Sequence, residues 1–372
     1  MLNALEIRNI RVYEQAKIYP DPGLNLISGP NASGKTSLLE AIYLLGTGRS
    51  YRTKQLEHLQ RHGSDEFGVH AKLATNSDQD SVQIGFSFST VGRRISLNGL
   101  PQSQISSIAQ LFPLQVISPD THYEFRSSSR QRRGALDWGL FHVEPDFPDL
   151  WNRYQRQLQQ RNAALKSERQ AAARQAWDEG LAILGEQVQA KRAWLLEQLK
   201  PDFLLCCHEL LGSEQKADLI LESGWEADRG LSECLQQDSF RDGARGFTHS
   251  GPHRADLRIV LGDATTQQET EPSHGQYKIL VLALRLALIR HFVEIKKQSC
   301  CLLIDDLAAE IDTPHRARLT AFLARLPIQL FVTSTDHTLI DLSSWQSYKS
   351  FHVEQGHIKE LIQNGNTRAR MR

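Results

Sequence analysis

Residues 29–36 read Gly-Pro-Asn-Ala-Ser-Gly-Lys-Thr, and no other feature of the 372-residue chain restricts what it can fold into so tightly. Average residue usage would produce the pattern G-x-x-x-x-G-K-T by accident in roughly one chain in a hundred of this length. The run GLNLIS before it reads as a short buried strand, and TSLLEAIYLL after it carries apolar residues at helical spacing. Strand, glycine loop and helix N-terminus together make an anion site, with backbone N–H groups pointing inward and the helix dipole behind them. The expected phosphate cradle comprises Gly29, Pro30, Asn31, Ala32, Ser33, Gly34, Lys35, Thr36 and Ser37. Lys35, on a solvent-facing loop, would reach the β- and γ-phosphates of ATP, and the Thr36 hydroxyl would ligate Mg²⁺. A plain glycine turn before an ordinary helix is the bland alternative, and the strand–loop–helix context argues against it.

Lys plus Arg and Asp plus Glu both total 43, so the net charge is zero, which excludes a wholly basic nucleic-acid wrapper but not a local basic face. The N-terminus lacks a basic-then-apolar leader. The longest apolar stretch, 279–289, is too short to span a bilayer and contains Arg285, so it reads as a buried helix. The five cysteines make no C-x-x-C pair and no zinc-finger spacing, the usage expected of reduced structural thiols in a cytoplasmic protein.

Along residues 1–120, short strand-like runs (ALEIRNIRVY, FGVHAKLA, VQIGFSFS, RRISLNG, LQVIS) surround the single glycine-loop helix. Residues 147–199, rich in Gln, Ala, Arg and Leu, read as two long helices breaking near SERQAAARQ and stopping at Pro201, packed as a short antiparallel arm. From Phe247 strand-like runs return (ADLRIVL, CLLIDD, QLFVTST, FHVEQGHIKEL), and NGNTRARMR reads as a frayed tail. The expected organisation is a head formed by 1–120 folding with 247–372, and a helical domain at 121–246.

CCLLIDD ends an apolar strand in two carboxylates. A glycine-loop nucleotide site needs a carboxylate at the end of a neighbouring parallel strand to hold Mg²⁺, which suits Asp305; Asp306 could orient or deprotonate the attacking water. Lys35, Asp305 and Asp306 are therefore the candidate catalytic residues, and Thr36 and Asp305 the candidate metal ligands. Ser273-His274-Gly275-Gln276 opens a strongly apolar helix, with Ser273 a good N-cap. That order, Ser-x-Gly-Gln, helix, strand, Asp-Asp, resembles the ABC-type ATPases. The resemblance implies that Ser273 to Gln276 bind the γ-phosphate held by a partner subunit, and that Asp312 belongs to the loop crossing that interface. Two heads would then face each other around two ATP molecules.

Taken with GPNASGKTSLLEAIYLLGTGRSYRT, RRGALDWGLFHVEP, QLQQRNAALK, HSGPHRADL and SHGQYKILVLALRLAL, the sequence resembles the bacterial RecF recombination-mediator family over its whole length. The fold class implied is α/β: an ABC/SMC-type P-loop ATPase head with an inserted helical, coiled-coil-like second domain. The resemblance also implies a slow, DNA-stimulated ATPase that forms an ATP-dependent homodimer. It implies work with RecO and RecR to load recombinase at single-strand/duplex gaps, and a role in SOS induction. Two departures from ABC ATPases point to slow turnover: Ser334 stands where a histidine follows the late strand, with His337 three residues on, and Asp306 stands where transporters carry glutamate. For DNA, the run RSSSRQRRG offers Arg126, Arg130, Arg132 and Arg133 without an acid among them, with Arg49, Arg52, His253 and Arg254 as further candidates. Those arginines could instead cap helices, pair with Asp137 or stabilise nucleotide. A transporter's nucleotide-binding subunit and a small-molecule kinase are the other classes considered. The long helical insertion disfavours the first, and the Ser-x-Gly-Gln helix has no purpose in the second.

Overall fold

Alternating burial over the first residues closes a hairpin, β1 (Leu2–Ile10) and β2 (Tyr13–Ile18), so the run ALEIRNIRVY contains a turn. In the computed structural model, which describes residues 1–74, 81–166, 171–212, 216–262, 270–307 and 311–361, β3 (Leu24–Ser28) then leads into α1 (Lys35–Thr47). There follow β4 (Glu66–Ala74), β5 (Ser81–Ser89), β6 (Gly92–Leu97), β7 (Leu100–Gln102), α2 (Ser106–Leu111) and β8 (Leu114–Ile117). Helices dominate next: α3 (Thr121–Ser127), α4 (Ser129–Val143), α5 (Phe147–Leu165) and α6 (Ala171–Leu211). Then come β9 (Ala217–Glu222), α7 (Leu231–Gln237), α8 (Ser239–Arg245), β10 (Asp256–Leu261) and α9 (His274–Lys296). The chain ends with β11 (Cys300–Ile304), α10 (Thr313–Leu323), β12 (Ile328–Ser334), β13 (Tyr348–Glu354) and β14 (His357–Leu361). No helix among the described residues is long and apolar enough to cross a membrane, and all five cysteines are free and buried.

Packing divides the chain into two units, one formed by residues 1–119 with 298 onward, the other by 120–297. The first contains two six-stranded sheets. One is antiparallel, in the order β2-β1-β4-β5-β6-β7; in the other, β14-β13-β3-β12-β11-β8, five strands run parallel and β14 closes the edge antiparallel. Leu38, Ile42 and Leu45 of α1 share one core with Ile7, Phe67 and Val69 of the antiparallel sheet and Ile27, Leu303 and Phe331 of the parallel one. The glycine-loop helix is thus clamped between sheets, which fixes the direction of its N-terminus.

In the second unit α5 and α6 pair antiparallel, as expected: Arg161 meets Asp178 near one end and Arg192 lies over Trp151 near the other. The break between these helices falls at 167–170, outside the described residues, as does the expected C-terminal tail. Two expectations are corrected. Pro201 does not stop α6, which runs 41 residues through it. A mid-helix proline costs about 3 kcal/mol, and the burial of Phe203, Cys206, Cys207 and Leu210 beyond it offsets that. The return to the first unit comes at Gln298, not Phe247. Helix α9 is apolar on nearly every face and packs on α4 and α6, while ADLRIVL pairs as β10 with β9, so 247–297 belongs to the helical unit.

Candidate functional site

Of three parallel strands, β3 and β12 end level with each other, Ser28 opposite Ser334, and β11 stops at Ile304, opposite Val332. Their ends release the glycine loop and Asp305 on the same edge of the sheet. The strand carrying Asp305 is not, as expected, the neighbour of the loop's strand; β12 lies between them. Two strand spacings, roughly 9–10 Å, leave room for phosphates between loop and carboxylate, and β12 adds Thr333 to the floor.

The loop itself needs its glycines. Gly29 has φ +153°, and a Cβ there would come within 2.1 Å of the Val353 carbonyl oxygen; at Gly34, φ +120°, it would meet Tyr13 Oη and Val12 Cγ2 at 2.9 Å. Tyr13 donates to the Gly34 carbonyl at 2.9 Å, and Gly356 N–H donates to the Ser33 carbonyl at 3.1 Å, so the loop is braced from outside. Lys35 is not on an open loop: it begins α1 and is buried, with Nζ donating to the Gly29 and Pro30 carbonyls at 2.7 Å each. Burial pulls its pKa below the ordinary lysine value, opposed first by the charge of Asp306 and then by that of Asp305. Ser33 Oγ is buried without a hydrogen-bond partner, the kind of orphaned group that a phosphate oxygen would satisfy.

Asp305 is engaged through both of its carboxylate oxygens. Its Oδ1 accepts from Thr36 Oγ1 at 3.0 Å and from Thr333 Oγ1 at 2.7 Å, and its Oδ2 from Tyr51 Oη at 3.2 Å. Adjacent ligands on a Mg²⁺ octahedron with bonds of 2.0–2.1 Å lie about 2.9 Å apart. The Thr36–Asp305 oxygen pair therefore fits that ion, whose other ligands would be phosphate and water. Asp306 sits at φ +52°, a conformation that costs a non-glycine residue about 1 kcal/mol or more, and its N–H donates to Thr333 Oγ1 at 2.7 Å. Ser334 is buried and bonded to the backbone of Asp336, whereas His337 is exposed.

Tyr51, Thr333 and Glu40 escape a reading of the sequence. Burial, then the charges of Asp305 and Glu40, push the Tyr51 pKa well above 10, against the opposing effect of Arg52, so the phenol remains a proton donor. Fully buried Glu40 accepts from Arg11 at 3.3 Å and from Ser50, and faces Arg52 at 3.8 Å, which ties residues 50–52 to α1. A lone acid inside LLEAIYLL was the only available signal; nothing in the sequence says that Tyr51 folds back onto Asp305.

Within the helical unit, Ser273 caps α9 in a reciprocal capping box: Ser273 Oγ accepts from Gln276 N at 3.3 Å, and Gln276 Oε1 from Ser273 N at 2.9 Å. Ser273, His274 and Gly275 are exposed, and no atom lies within 4 Å of where a Cβ on Gly275 would stand. Asp312, in the first unit, is exposed and caps α10 through His315. The arginine run divides. Arg132 is bidentate to Asp256 at 2.7 Å and also donates to the Phe125 carbonyl, and Arg133 donates to the Ala255 carbonyl at 2.6 Å, so both staple α4 to the start of β10. Arg126 and Arg130 remain exposed, Arg126 lying 5.6 Å from the Tyr277 ring. Asp137 is taken by Arg192, not by this run. His253 is bonded to Tyr154 Oη at 2.6 Å, and burial lowers its pKa to about 4, so the neutral ring offers no charge to a phosphate; Arg254 is exposed over Phe247. Arg49 is exposed.

A family model described as the RecF/RecN/SMC N-terminal domain matches residues 1–359. The DNA replication and repair protein RecF of Vibrio campbellii is 38% identical over 360 residues, covering 96% of this chain and 99% of that one. RecF of Thioalkalivibrio sulfidiphilus is 37% identical over 359 residues, covering 96% and 99%. A solved structure of the recombination mediator protein RecF-ATP in the RecFOR pathway superposes with a TM-score of 0.83 at 26% identity, covering 97% of each chain. An Smc head domain from Pyrococcus furiosus, at TM-score 0.60 and 16% identity over 97% of this chain and 95% of that one, shares the fold.

Proposed function

The chain belongs to the RecF family of DNA replication and repair proteins, and on that premise we propose that it is an ATP-dependent, DNA-binding recombination mediator. Its heads dimerise around ATP, hydrolyse it slowly in the presence of DNA, and act with RecO and RecR to load recombinase at single-strand/duplex gaps, including during the SOS response in the cytoplasm. The observation that carries the ATP reading is the Thr36–Asp305–Thr333 hydrogen-bonded cluster at the mouth of a glycine loop whose Ser33 hydroxyl has no partner. The loop amides and Lys35 would hold the phosphates, and Thr36 and Asp305 the Mg²⁺, which when bound neutralises charge on the β- and γ-oxygens. Asp306 orients the attacking water. The exposed Ser273–Gly275 end of α9 supports γ-phosphate recognition by a facing subunit, since a helix N-terminus favours an anion. Arg126 and Arg130 are the members of the arginine run available for DNA.

Asp306→Asn tests the hydrolytic part of this reading. Asparagine tolerates the left-handed backbone as well as aspartate does, and the N–H bond to Thr333 is unaffected, so the change removes charge alone. Hydrolysis is expected to slow on the order of a hundredfold, while ATP-induced dimers persist longer in sedimentation. Unchanged turnover would remove Asp306 from the reaction.

Tyr51→Phe tests how Asp305 is held. The variant keeps the ring and loses the donor to Oδ2. Removing an outer-shell partner typically weakens a metal site by ten- to a hundredfold. A rise of about tenfold in the Mg²⁺ needed for half-maximal ATP binding is expected, with binding in EDTA unchanged. An unaltered Mg²⁺ titration would leave Tyr51 as packing only.

A further inference from the structure

Strand β10 pairs with β9 along one side, and its other side is closed at both ends but not in the middle. On the β9 side Gly262 N–H donates to the Lys216 carbonyl at 2.8 Å; on the other side Leu261 and Thr270 exchange two hydrogen bonds, at 2.9 and 3.2 Å. Along an antiparallel strand these directions alternate, so Ile259 and Leu257 also turn their backbone groups away from β9. The Leu257 N–H is taken by Asp256 Oδ1 at 2.7 Å, a carboxylate that Arg132 holds in turn. Ile259 N–H and C=O have no hydrogen-bond partner on that side among the described residues, although the residue is only 5% exposed. Pro272, next in line to face Ile259, lacks the N–H needed to continue the pairing that Thr270 begins. The result is a groove of about 300 Å³ along residues 257–260, bounded also by residues 270–272, Arg126, Arg132 and Tyr277. Arg126 stands at the Asp256 end, since Arg132 reaches both its carbonyl and Asp256. The Arg126 guanidinium lies 5.6 Å from the Tyr277 ring and has no carboxylate partner among the described residues, while Glu271 sits at the other end, beside Thr270.

We propose that the open edge of β10 takes up an extended peptide of a partner protein as an antiparallel third strand, with an acidic residue at the peptide's C-terminal end against Arg126. Main-chain hydrogen bonds to Ile259 and to the Leu257 carbonyl supply the affinity, and alternate side chains fit the groove. The direction follows from Thr270, which enters the same place antiparallel to β10 and so heads toward the Asp256 end. A sheet edge left unpaired is a template for another strand, and this one is open over a single pair of backbone groups, which suits a short segment. A DNA backbone could meet Arg126 but carries no donor for the Ile259 carbonyl. The inference goes beyond the ATP and DNA readings and rests on neither.

The test is fluorescence polarisation of the full chain with three fluorescein-labelled peptides, all amidated at the C-terminus: Thr-Val-Thr-Val-Asp, the same peptide ending in Lys, and the Asp peptide N-methylated at two successive central residues. Methylating two in a row removes whichever N–H faces Ile259. The wild type is expected to bind the Asp peptide about fivefold more tightly than the Lys peptide, and N-methylation to weaken binding about tenfold. Arg126→Glu, a change at an exposed position, is expected to reverse the order of the Asp and Lys peptides without moving the unfolding midpoint. An Asp peptide that does not bind the wild type overturns the proposal, as does equal affinity for the N-methylated peptide, which would leave the edge unused. An Arg126→Glu variant that loses duplex DNA binding while keeping the wild-type order of peptides would give Arg126 to DNA and overturn it as well.

Discussion

Lys35→Met is expected to weaken ATP binding roughly a hundredfold while the chain stays folded. An ammonium bonded to phosphate oxygens contributes up to about 3 kcal/mol, and 1.4 kcal/mol is a factor of ten in affinity. The cost to the fold is separate. Lys35 Nζ donates to two loop carbonyls at 2.7 Å, and both lose that donor in the variant. Methionine fills the same space without a buried charge, so the net loss should be about 1 kcal/mol, a fall in unfolding midpoint of roughly 2–4 °C for a unit of this size. Calorimetric titration with ATP and thermal unfolding of the same preparation separate the two effects. ATP affinity equal to wild type would remove Lys35 from the phosphate site.

The features legible in the sequence are those that local pattern alone dictates. The glycine loop, its flanking strand and helix, and the Asp-Asp strand end appear where their residues put them, because each is written in consecutive residues. Ser273 was legible as a cap for the same reason, its partner Gln276 being three residues away. What escaped depends on distant partners. Pro201 reads as a stop until Phe203 and Leu210 find a core to enter. Arg132 and Arg133 read as DNA contacts, or as helix caps, partners of Asp137 or supports for nucleotide, until Asp256 and the Ala255 carbonyl, more than a hundred positions on, arrive beside them. The sequence alone places helix α9 with the first unit, because its apolar faces show that it is buried but not which helices bury it. The Tyr51–Asp305 hydrogen bond, between residues 254 positions apart, has no local signature at all.

Ser273→Arg is the second large expected effect, and it separates two roles that the same side chain can fill. As an N-cap, Ser273 contributes about 1 kcal/mol to its helix, and losing it would lower stability slightly with ATP binding and self-association spared. As a γ-phosphate contact in a facing subunit, it has to be exposed, as it is. An arginine there would then fill the space between subunits, so ATP would still bind the monomer and the dimer would not form. Mixing Ser273→Arg with Lys35→Met sharpens the point. One composite site of the mixed dimer joins an intact glycine loop to an intact Ser273 end, and partial return of DNA-stimulated hydrolysis is expected. The most direct measurement is sedimentation velocity of Ser273→Arg across a range of ATP concentrations beside the wild type. The wild type is expected to shift from monomer to dimer with ATP, and the variant to remain a monomer while binding ATP with nearly wild-type affinity. Dimers of the variant at the wild-type ATP dependence would contradict the shared site and the ATP-gated function built on it.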